Sequence, residues 1–334
     1  MKGIINALDF NASVRDEKQQ NPFWILVKKE IAGHIRSWRF IILLVLVVLT
    51  FWGATAVAMN NIKDTVAKVK DLETLFLYLK LLTTTEGTLP PFHVFLNFLG
   101  PLLGISLGFD AINSEQQNGT LTRIMAQPIY RDNLLLSKFV SSLLLVGTLL
   151  LSLSLLMIGG GMLITGVMIE IEELIRILCF MVLCTVYVGF WLGLSILLSI
   201  VFKQASTSAL TAIGIWLFFT VFYQIVVNMV VTMLTSGAGE LSQMQVMHLN
   251  EMILNILRLA PSQLYADATT TLLMPSVRSL GPVTMEQMAG AIPSPLSIRD
   301  SLLIVWPQLT GLIAATLLCF AFSYYLFMRR EIRT

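Results

Sequence analysis

Residues 110–138 have the sequence DAINSEQQNGTLTRIMAQPIYRDNLLLSK, a polar stretch between two long apolar runs. Ser114 and Gln117 have the spacing of a capping box, in which two side chains satisfy free backbone N–H groups at a helix start. Thr120 and Asp132 can each cap a further helical piece. The stretch therefore predicts several short helices joined by bends at a membrane surface, and we call it the elbow (residues 110–138).

The middle of the elbow carries an apolar ridge. Ile124 and Met125 follow Leu121 by three and four positions, so all three side chains lie on one face of a helix. Gly119 interrupts the chain before the ridge. Pro128 ends the helix because proline cannot continue the helical hydrogen-bond ladder. Such a ridge either covers the ends of neighbouring spans or faces a partner protein.

Composition places the chain in a membrane. Hydrophobic residues make up 56% and charged residues only 13%, with a mean hydropathy of +0.78, whereas about a quarter of the residues in a soluble domain are charged. The cysteines, Cys179, Cys184 and Cys319, all lie inside apolar runs without metal-ligand spacing. We interpret them as small hydrophobic residues.

Six apolar runs are long enough to span a bilayer, since about 20 residues at ~1.5 Å each cross a hydrocarbon core of about 30 Å. The sequence therefore predicts an all-α polytopic membrane protein, with a six-span transmembrane domain over residues 40–334. We place the spans at residues 40–60, 92–109, 139–168, 174–202, 207–234 and 302–328.

An amphipathic helix is expected before the first span, at residues 22–39. Asn21 and Pro22 are a typical helix start, and residues 1–21 are polar and predict a cytoplasmic tail without a signal peptide. The predicted helix carries an apolar stripe with basic residues mostly off it, which suits the membrane interface. The stripe comprises Trp24, Val27, Ile31, Ile35 and Trp38, and the basic residues are Lys28, Lys29, Arg36 and Arg39.

Lysine and arginine residues set the expected orientation. Most of them fall in the tail, the amphipathic helix, the elbow and the C-terminus. The positive-inside rule therefore predicts that both termini and the elbow are cytoplasmic. An outer segment, residues 236–300, then lies between spans five and six; its apolar first half favours a folded cap, and the alternative is a mobile loop.

The elbow resembles the first cytoplasmic loop of type-2 ATP-binding-cassette (ABC) exporter permeases. The matching residues, in order, are Glu115, Gly119, Thr120, Leu121, Pro128, Arg131 and Lys138. The number and order of the spans also resemble that family. Two departures are Ile124-Met125, where a leucine pair is commoner, and Ser137, where glycine usually precedes the lysine. The resemblance implies type-2 ABC exporter architecture in a bacterial or archaeal plasma membrane.

The resemblance further implies that the elbow holds a coupling helix that docks on a separate cytosolic ABC ATPase. Two ATPase copies and a second permease copy or paralogue are expected, with ATP and Mg²⁺ bound by the ATPase and no cofactor bound by this chain. Our hypothesis is that ATPase closure pushes on the ridge while Glu115 and Arg123 hold the elbow in register. The expected coupling residues are Glu115, Gly119, Thr120, Leu121, Arg123, Ile124, Met125, Pro128 and Arg131.

Motifs for catalysis are missing from the sequence. No GxxxxGK[ST] phosphate loop, HExxH or CxxC occurs, so we expect no ATP hydrolysis by this chain and assign no catalytic or metal-binding residue. Gly104 to Gly108 match the GxSxG pattern of serine hydrolases. His34, His93 and His248 all lie outside span interiors, however, so a helix-packing glycine face is the better interpretation.

Few ionisable residues lie inside the spans, which disfavours an ion-driven secondary transporter. The polar residues Asn97, Gln224, Asn228 and Gln308 either line a substrate path or form hydrogen bonds between helices. Membrane lipid is an expected neighbour and nucleic acid is not. The leading alternative function is a non-transporting sensor or scaffold that acts through the outer segment, residues 236–300.

Overall fold

Apolar runs of this length can satisfy their backbone hydrogen bonds in lipid only as helices. The computed structural model describes residues 21–66, 76–85, 89–126, 130–235, 249, 252–275 and 296–329, in which every regular element is helical. Six helices are long and apolar enough to cross a membrane, which confirms the predicted all-α polytopic fold. In chain order the helices are α1 (Pro22–Ile35), α2 (Trp38–Val66), α3 (Leu77–Thr83), α4 (Phe92–Gly108), α5 (Asn113–Gln117), α6 (Thr120–Met125), α7 (Arg131–Thr165), α8 (Ile171–Val201), α9 (Ala205–Leu217), α10 (Tyr223–Thr235), α11 (Pro261–Leu273) and α12 (Ile298–Arg329).

The bounds of the spans agree with the sequence except where a helix continues past its apolar run. The third span was expected from residue 139, but α7 begins at Arg131. Its additional turns bury Leu134, Leu135 and Lys138 against other helices, so packing sustains the helix outside the hydrocarbon region. A π-helical turn, Phe218–Phe222, joins α9 to α10 within the fifth span.

The central helix of the bundle is α8, the most buried of the six spans. It packs closely on α4 through glycines. A Cβ atom added to Gly104 would lie 2.6 Å from the Val188 carbonyl oxygen, and one added to Gly108 would lie 2.9 Å from the Leu192 carbonyl oxygen. The Gly104 to Gly108 motif is therefore a helix-packing face, as the sequence indicated.

The amphipathic helix predicted for residues 22–39 is divided. Asn21 caps α1 by accepting a hydrogen bond from the Phe23 N–H at 3.3 Å, but α1 ends at Ile35 and α2 begins at Trp38. The predicted single stripe is also divided between two faces. Leu26, Val27 and the half-buried Ile31 face the bundle, where α1 packs on α7, while the remaining stripe residues, Trp24, Ile35 and Trp38, are exposed.

At the end of the bundle opposite the elbow, α11 and the helical turn before it form a folded layer, here called the cap (residues 252–275). Asp267 in α11 is 2% exposed, accepting bonds from Arg258 Nε at 3.2 Å and Gln263 Nε2 at 2.7 Å. The helix packs on α8, α12 and α4. This part of residues 236–300 is therefore folded, as the cap interpretation expected; residues 236–248, 250–251 and 276–295 lie outside the described part of the chain.

Candidate functional site

The elbow folds as the two short helices α5 and α6 between α4 and α7. Gly119 separates them with a φ of +66°, a left-handed conformation that glycine adopts without a Cβ penalty. The bent, short-helix elbow expected from the sequence is thus present.

The predicted caps of these helices were wrong. The Ser114 hydroxyl donates to the Asp110 carbonyl oxygen at 2.6 Å, and the Thr120 hydroxyl donates to the Glu115 carbonyl oxygen at 3.1 Å. Asp132 is the second residue of α7, which has no side-chain cap. Thr120 is the first residue of α6, and Ser114 and Asp132 are the second residues of their helices, so all three side chains lie inside the first turn.

A distant residue caps α5 instead. Ser199, near the end of α8, accepts hydrogen bonds from the Ile112 N–H at 2.9 Å and the Asn113 N–H at 3.2 Å. Gln117 at the other end of α5 donates to the Lys203 carbonyl oxygen at 2.8 Å. The elbow is therefore fixed to the end of α8 at both ends of α5. Sequence reasoning missed Ser199 because no local pattern connects it with the elbow.

A buried ion-pair network ties the elbow to α1 and α7. The ammonium of Lys138, whose side chain is 6% exposed, lies 3.1 Å from Glu30 Oε2 and 2.9 Å from Glu115 Oε1. Lys29 adds weaker contacts to both carboxylates, at 3.5 and 3.8 Å. Burial alone would raise the pKa of Glu30, but the attraction of Lys138 and Lys29 outweighs it and lowers that pKa. Glu30 is therefore held ionised beside a cation that it shares with Glu115.

A polar cavity of about 150 Å³ lies beside this network. His34 lines it, bonded through Nε2 to the Ser142 hydroxyl at 3.3 Å, and burial lowers the pKa of His34. Asp110, which also lines the cavity, binds Arg39 at 2.7 Å, and the Arg39 guanidinium stacks 4.9 Å from the Phe109 ring centroid. These contacts connect the start of α2 to the end of α4 and give the elbow a second anchor.

The apolar ridge of the elbow faces inward. Leu121 is only 4% exposed and belongs to the hydrophobic core, and Ile124 is half-buried against that core. The side chain of Met125 lies outside the described residues. The ridge thus covers the ends of neighbouring spans. On α5, α6 and the bend between them the exposed surface is polar and comprises Gln116, Gln117, Asn118, Gly119, Thr120 and Arg123.

The other expected coupling residues surround the same two helices. Glu115 joins the ion-pair network, Arg123 is exposed on α6, and Arg131 is half-buried at the first position of α7. Pro128 lies outside the described residues. The elbow therefore combines an anchored inner face with an exposed polar surface that could receive another protein.

The four polar residues considered for a substrate path separate into two pairs. Asn97 accepts a hydrogen bond from the Tyr187 hydroxyl at 3.1 Å, and Gln308 is buried within α12. Gln224 and Asn228 are exposed on α10. Asn97 therefore connects α4 to α8, whereas the α10 pair faces away from the bundle. In the described part of the chain, no three His, Cys, Asp or Glu side chains gather as a metal site.

Comparison with known proteins identifies the family that has this architecture. Residues 24–332 match the family model described as ABC-2 family transporter protein. The Pseudomonas aeruginosa protein named "Probable ABC transporter permease protein NosY" is 26% identical over 330 residues, covering 92% of this chain and 98% of that protein. A protein of the same name from Stutzerimonas stutzeri is 24% identical over 306 residues, covering 88% of this chain and 96% of the relative. Because the family match includes most of α1, the elbow and all six spans, this chain belongs to the ABC-2 family of transporter proteins.

Proposed function

We propose that this chain is the permease subunit of an ABC exporter and that a separate cytosolic ATPase drives it by docking on the elbow. The observation that carries the proposal is the construction of the elbow. Its inner side is anchored to α8 by Ser199 and to α1 and α7 by Lys138, while a polar surface on α5 and α6 stays exposed. A surface fixed in this way passes an applied force to the spans instead of deforming locally. The relatives named as ABC transporter permeases support the same assignment.

In this proposal both termini and the elbow are cytoplasmic. The basic residues of α1 and the elbow support that orientation through the positive-inside rule. Two ATPase copies bind ATP and Mg²⁺ and carry out hydrolysis, and a second permease copy or a paralogue completes the assembly. The spans α2, α9 and α10, and α12 are the least buried in the isolated chain, so they have apolar surface available for lipid or for that second permease.

The structure changes which elbow residues we expect to touch the ATPase. Leu121 and Ile124 pack inward, so they hold α6 in place and receive force from it. Thr120 and Arg123 are exposed and are the expected contacts. Gly119 supplies the bend that lets α6 present this surface, and Glu115 keeps α5 in register through Lys138.

The test is purification of the tagged chain from its native host in mild detergent, followed by assay of ATP hydrolysis. We expect an ATPase subunit to co-purify, and Arg123→Glu to remove most of it because the exposed guanidinium is replaced by an opposite charge. The matched control is Arg299→Glu, which reverses an exposed arginine on α12 at the other end of the bundle and should leave the complex intact. A wild-type chain that purifies without any ATPase would contradict the proposal.

The same experiment distinguishes the proposed transporter from the alternative, a sensor or scaffold. A sensor or scaffold that acts through residues 236–300 would be recovered with a partner that is lost when this segment is deleted, and without an ATPase bound at the elbow. A transporter should keep its ATPase after that deletion, because the elbow lies at the opposite end of α8 from the cap.

A further inference from the structure

One helix, α8, is bonded to the elbow at one end and to the cap at the other. Ser199 caps α5 near the C-terminal end of α8, and Arg176 contacts the cap near the N-terminal end. Ser199 follows Arg176 by 23 positions, which correspond to about 35 Å of helix, roughly the thickness of a hydrocarbon core. Both ends of the protein are thus attached to a single rod.

Arg176 forms the attachment at the cap end and is completely buried. Its Nη1 atom donates to the Leu272 carbonyl oxygen at 3.2 Å and to the Ser301 hydroxyl at 3.0 Å. Its Nη2 atom donates to the Leu296 carbonyl oxygen at 2.6 Å and to Glu172 at 2.8 Å. One guanidinium therefore joins the last turn of α11 and the start of α12 to α8, a set of bonds that only the planar fork of arginine can form together.

Two tyrosines attach the cap to α4 as well. Tyr265 of α11 stacks on Tyr187 of α8 with ring centroids 4.5 Å apart. The Tyr265 hydroxyl donates to the His93 carbonyl oxygen at 3.1 Å, and the Tyr187 hydroxyl donates to the Asn97 carbonyl oxygen at 3.0 Å. The start of α4, the first half of α8 and α11 are therefore linked to one another at the cap end.

Between the two ends, α4 and α8 cannot slide freely. Gly104 and Gly108 bring the two backbones into direct contact, with no side chain between them to adjust. Interfaces packed in this way tend to move as rigid bodies. A displacement of one helix must then displace the other.

We propose that α4, α5, α8 and α11 form one rigid unit that carries a displacement of the elbow across the membrane to the cap, and that Arg176 fastens the cap to this unit. The inference rests on the proposed function for the origin of the displacement, which is the ATPase docked on the elbow. Arg176 acts as a positioning residue because it contacts the cap and α12 and has no contact with the elbow.

The test uses the complex with its co-purified ATPase in lipid nanodiscs, with the three native cysteines replaced by alanine. Spin-label pairs report each end of the unit against α2. Ala126 and Trp38 report the elbow end, and Leu259 and Asn60 report the cap end; all four side chains are exposed. Distances are compared between the nucleotide-free complex and the complex trapped with ATP and vanadate. We expect both pairs to change distance on trapping.

Replacing Arg176 should separate the two responses. In Arg176→Leu the elbow pair should respond as in the wild type, while the cap pair loses at least half of its distance change. If the leucine variant fails to fold, Arg176→Lys takes its place. This variant keeps the charge without the planar fork and should give the same result. The matched control, Arg299→Leu, removes an exposed arginine at the same end and should leave both pairs unchanged.

A second measurement tests the middle of the unit. A Cβ atom added to Gly100 would lie 3.3 Å from Val188 Cγ2, so these two positions are in contact and are the pair chosen for a cysteine crosslink between α4 and α8. Because a rigid unit has no relative motion there, the crosslinked complex should keep its rate of ATP hydrolysis and both distance changes. Loss of the cap response on crosslinking would show that α4 and α8 move past each other.

The outcomes distinguish this inference from the proposed function. If no ATPase co-purifies, the proposed function fails. If the ATPase is present and the elbow pair responds, but the cap pair stays fixed in the wild type or responds fully in Arg176→Leu, the rigid-unit inference fails alone.

Discussion

The elbow end and the cap end of the bundle are both attached to α8, but by different chemistry. At the elbow, Lys138 is shared between the carboxylates of Glu30 and Glu115, and an exposed polar surface lies beside this network. At the cap, the fully buried Arg176 reaches α11 and α12 through two carbonyl oxygens and a hydroxyl, and its ion pair with Glu172 lies within α8. The bonds that anchor the elbow are thus between charged groups, whereas the bonds that join Arg176 to α11 and α12 are to neutral acceptors. The comparison teaches that the two ends should fail under different perturbations.

The largest expected effect is at the elbow. Lys138→Met removes the cation and leaves two buried carboxylates side by side, and breaking a buried ion pair costs about 3–5 kcal/mol of unfolding free energy. Hydrogen exchange should rise in α1 and α5, with α11 protected as in the wild type. The triple variant Glu30→Gln, Glu115→Gln and Lys138→Met should recover much of the lost thermal stability. Equal loss of protection at α11 would contradict the separation of the two ends.

The second largest effect is expected at the contact between α4 and α8, which lies between the two ends. Gly104→Ala places a Cβ 2.6 Å from the Val188 carbonyl oxygen, and overpacking of this kind costs about 1–3 kcal/mol. Gly214→Ala in α9 is the matched control, since a Cβ added there has no neighbour within 4 Å. Thermal unfolding in detergent should show a lower midpoint for the first variant and an unchanged or higher midpoint for the second. Equal midpoints would mean that α4 and α8 are less closely packed than described.

A smaller effect is expected from the cap of α5. Ser199→Ala leaves the Ile112 and Asn113 N–H groups without their acceptor, and losing a helix cap costs about 0.5–2 kcal/mol. The change lies on α8 but should increase hydrogen exchange in α5. Ser195→Ala is a control on the same helix, since that hydroxyl donates at 3.3 Å to the Ile105 carbonyl inside α4 instead of capping α5. Unchanged hydrogen exchange in α5 would show that Ser199 does not anchor the elbow.

The smallest expected effect is a pH dependence at the elbow. Burial holds the pKa of His34 below its ordinary value of 6.5, so the unfolded chain takes up a proton first and stability falls as the pH drops below about 6.5. Burial alone would raise the pKa of Glu30, but the attraction of Lys138 outweighs it and lowers that pKa. The contribution of Glu30 to stability is therefore complete above pH 4.5 and is lost as the pH falls further. His34→Gln should abolish the first step, measured as hydrogen exchange of α1 between pH 7.5 and 5. A pH step in α1 that persists in His34→Gln would show that His34 is not its cause.

The sequence was sufficient for the fold because the governing interactions are local or compositional. The spans follow from the length of the apolar runs, and the break at Gly119 follows from a glycine between two helical segments. The packing of Gly104 and Gly108 follows from their spacing. The anchors of the elbow were out of reach, since Lys138 and Glu30 are separated by 108 residues and no periodicity connects them. The direction of the Leu121 ridge was open for the same reason. Periodicity identifies a common face, but only the tertiary contacts decide whether that face is turned inward.

The bond between Ser199 and the elbow also sets an order of events during synthesis. Ser199 follows Ile112 by 87 residues, which a ribosome adds in roughly 4–17 s at about 5–20 residues per second. Until α8 has been inserted, α5 lacks the hydroxyl that caps it and α4 lacks the backbone against which its glycines pack. The surface proposed for ATPase docking is therefore assembled only after the fourth span is in place, and a nascent chain that stops before it cannot present that surface. Assembly with a partner is then restricted to chains that have completed most of their insertion.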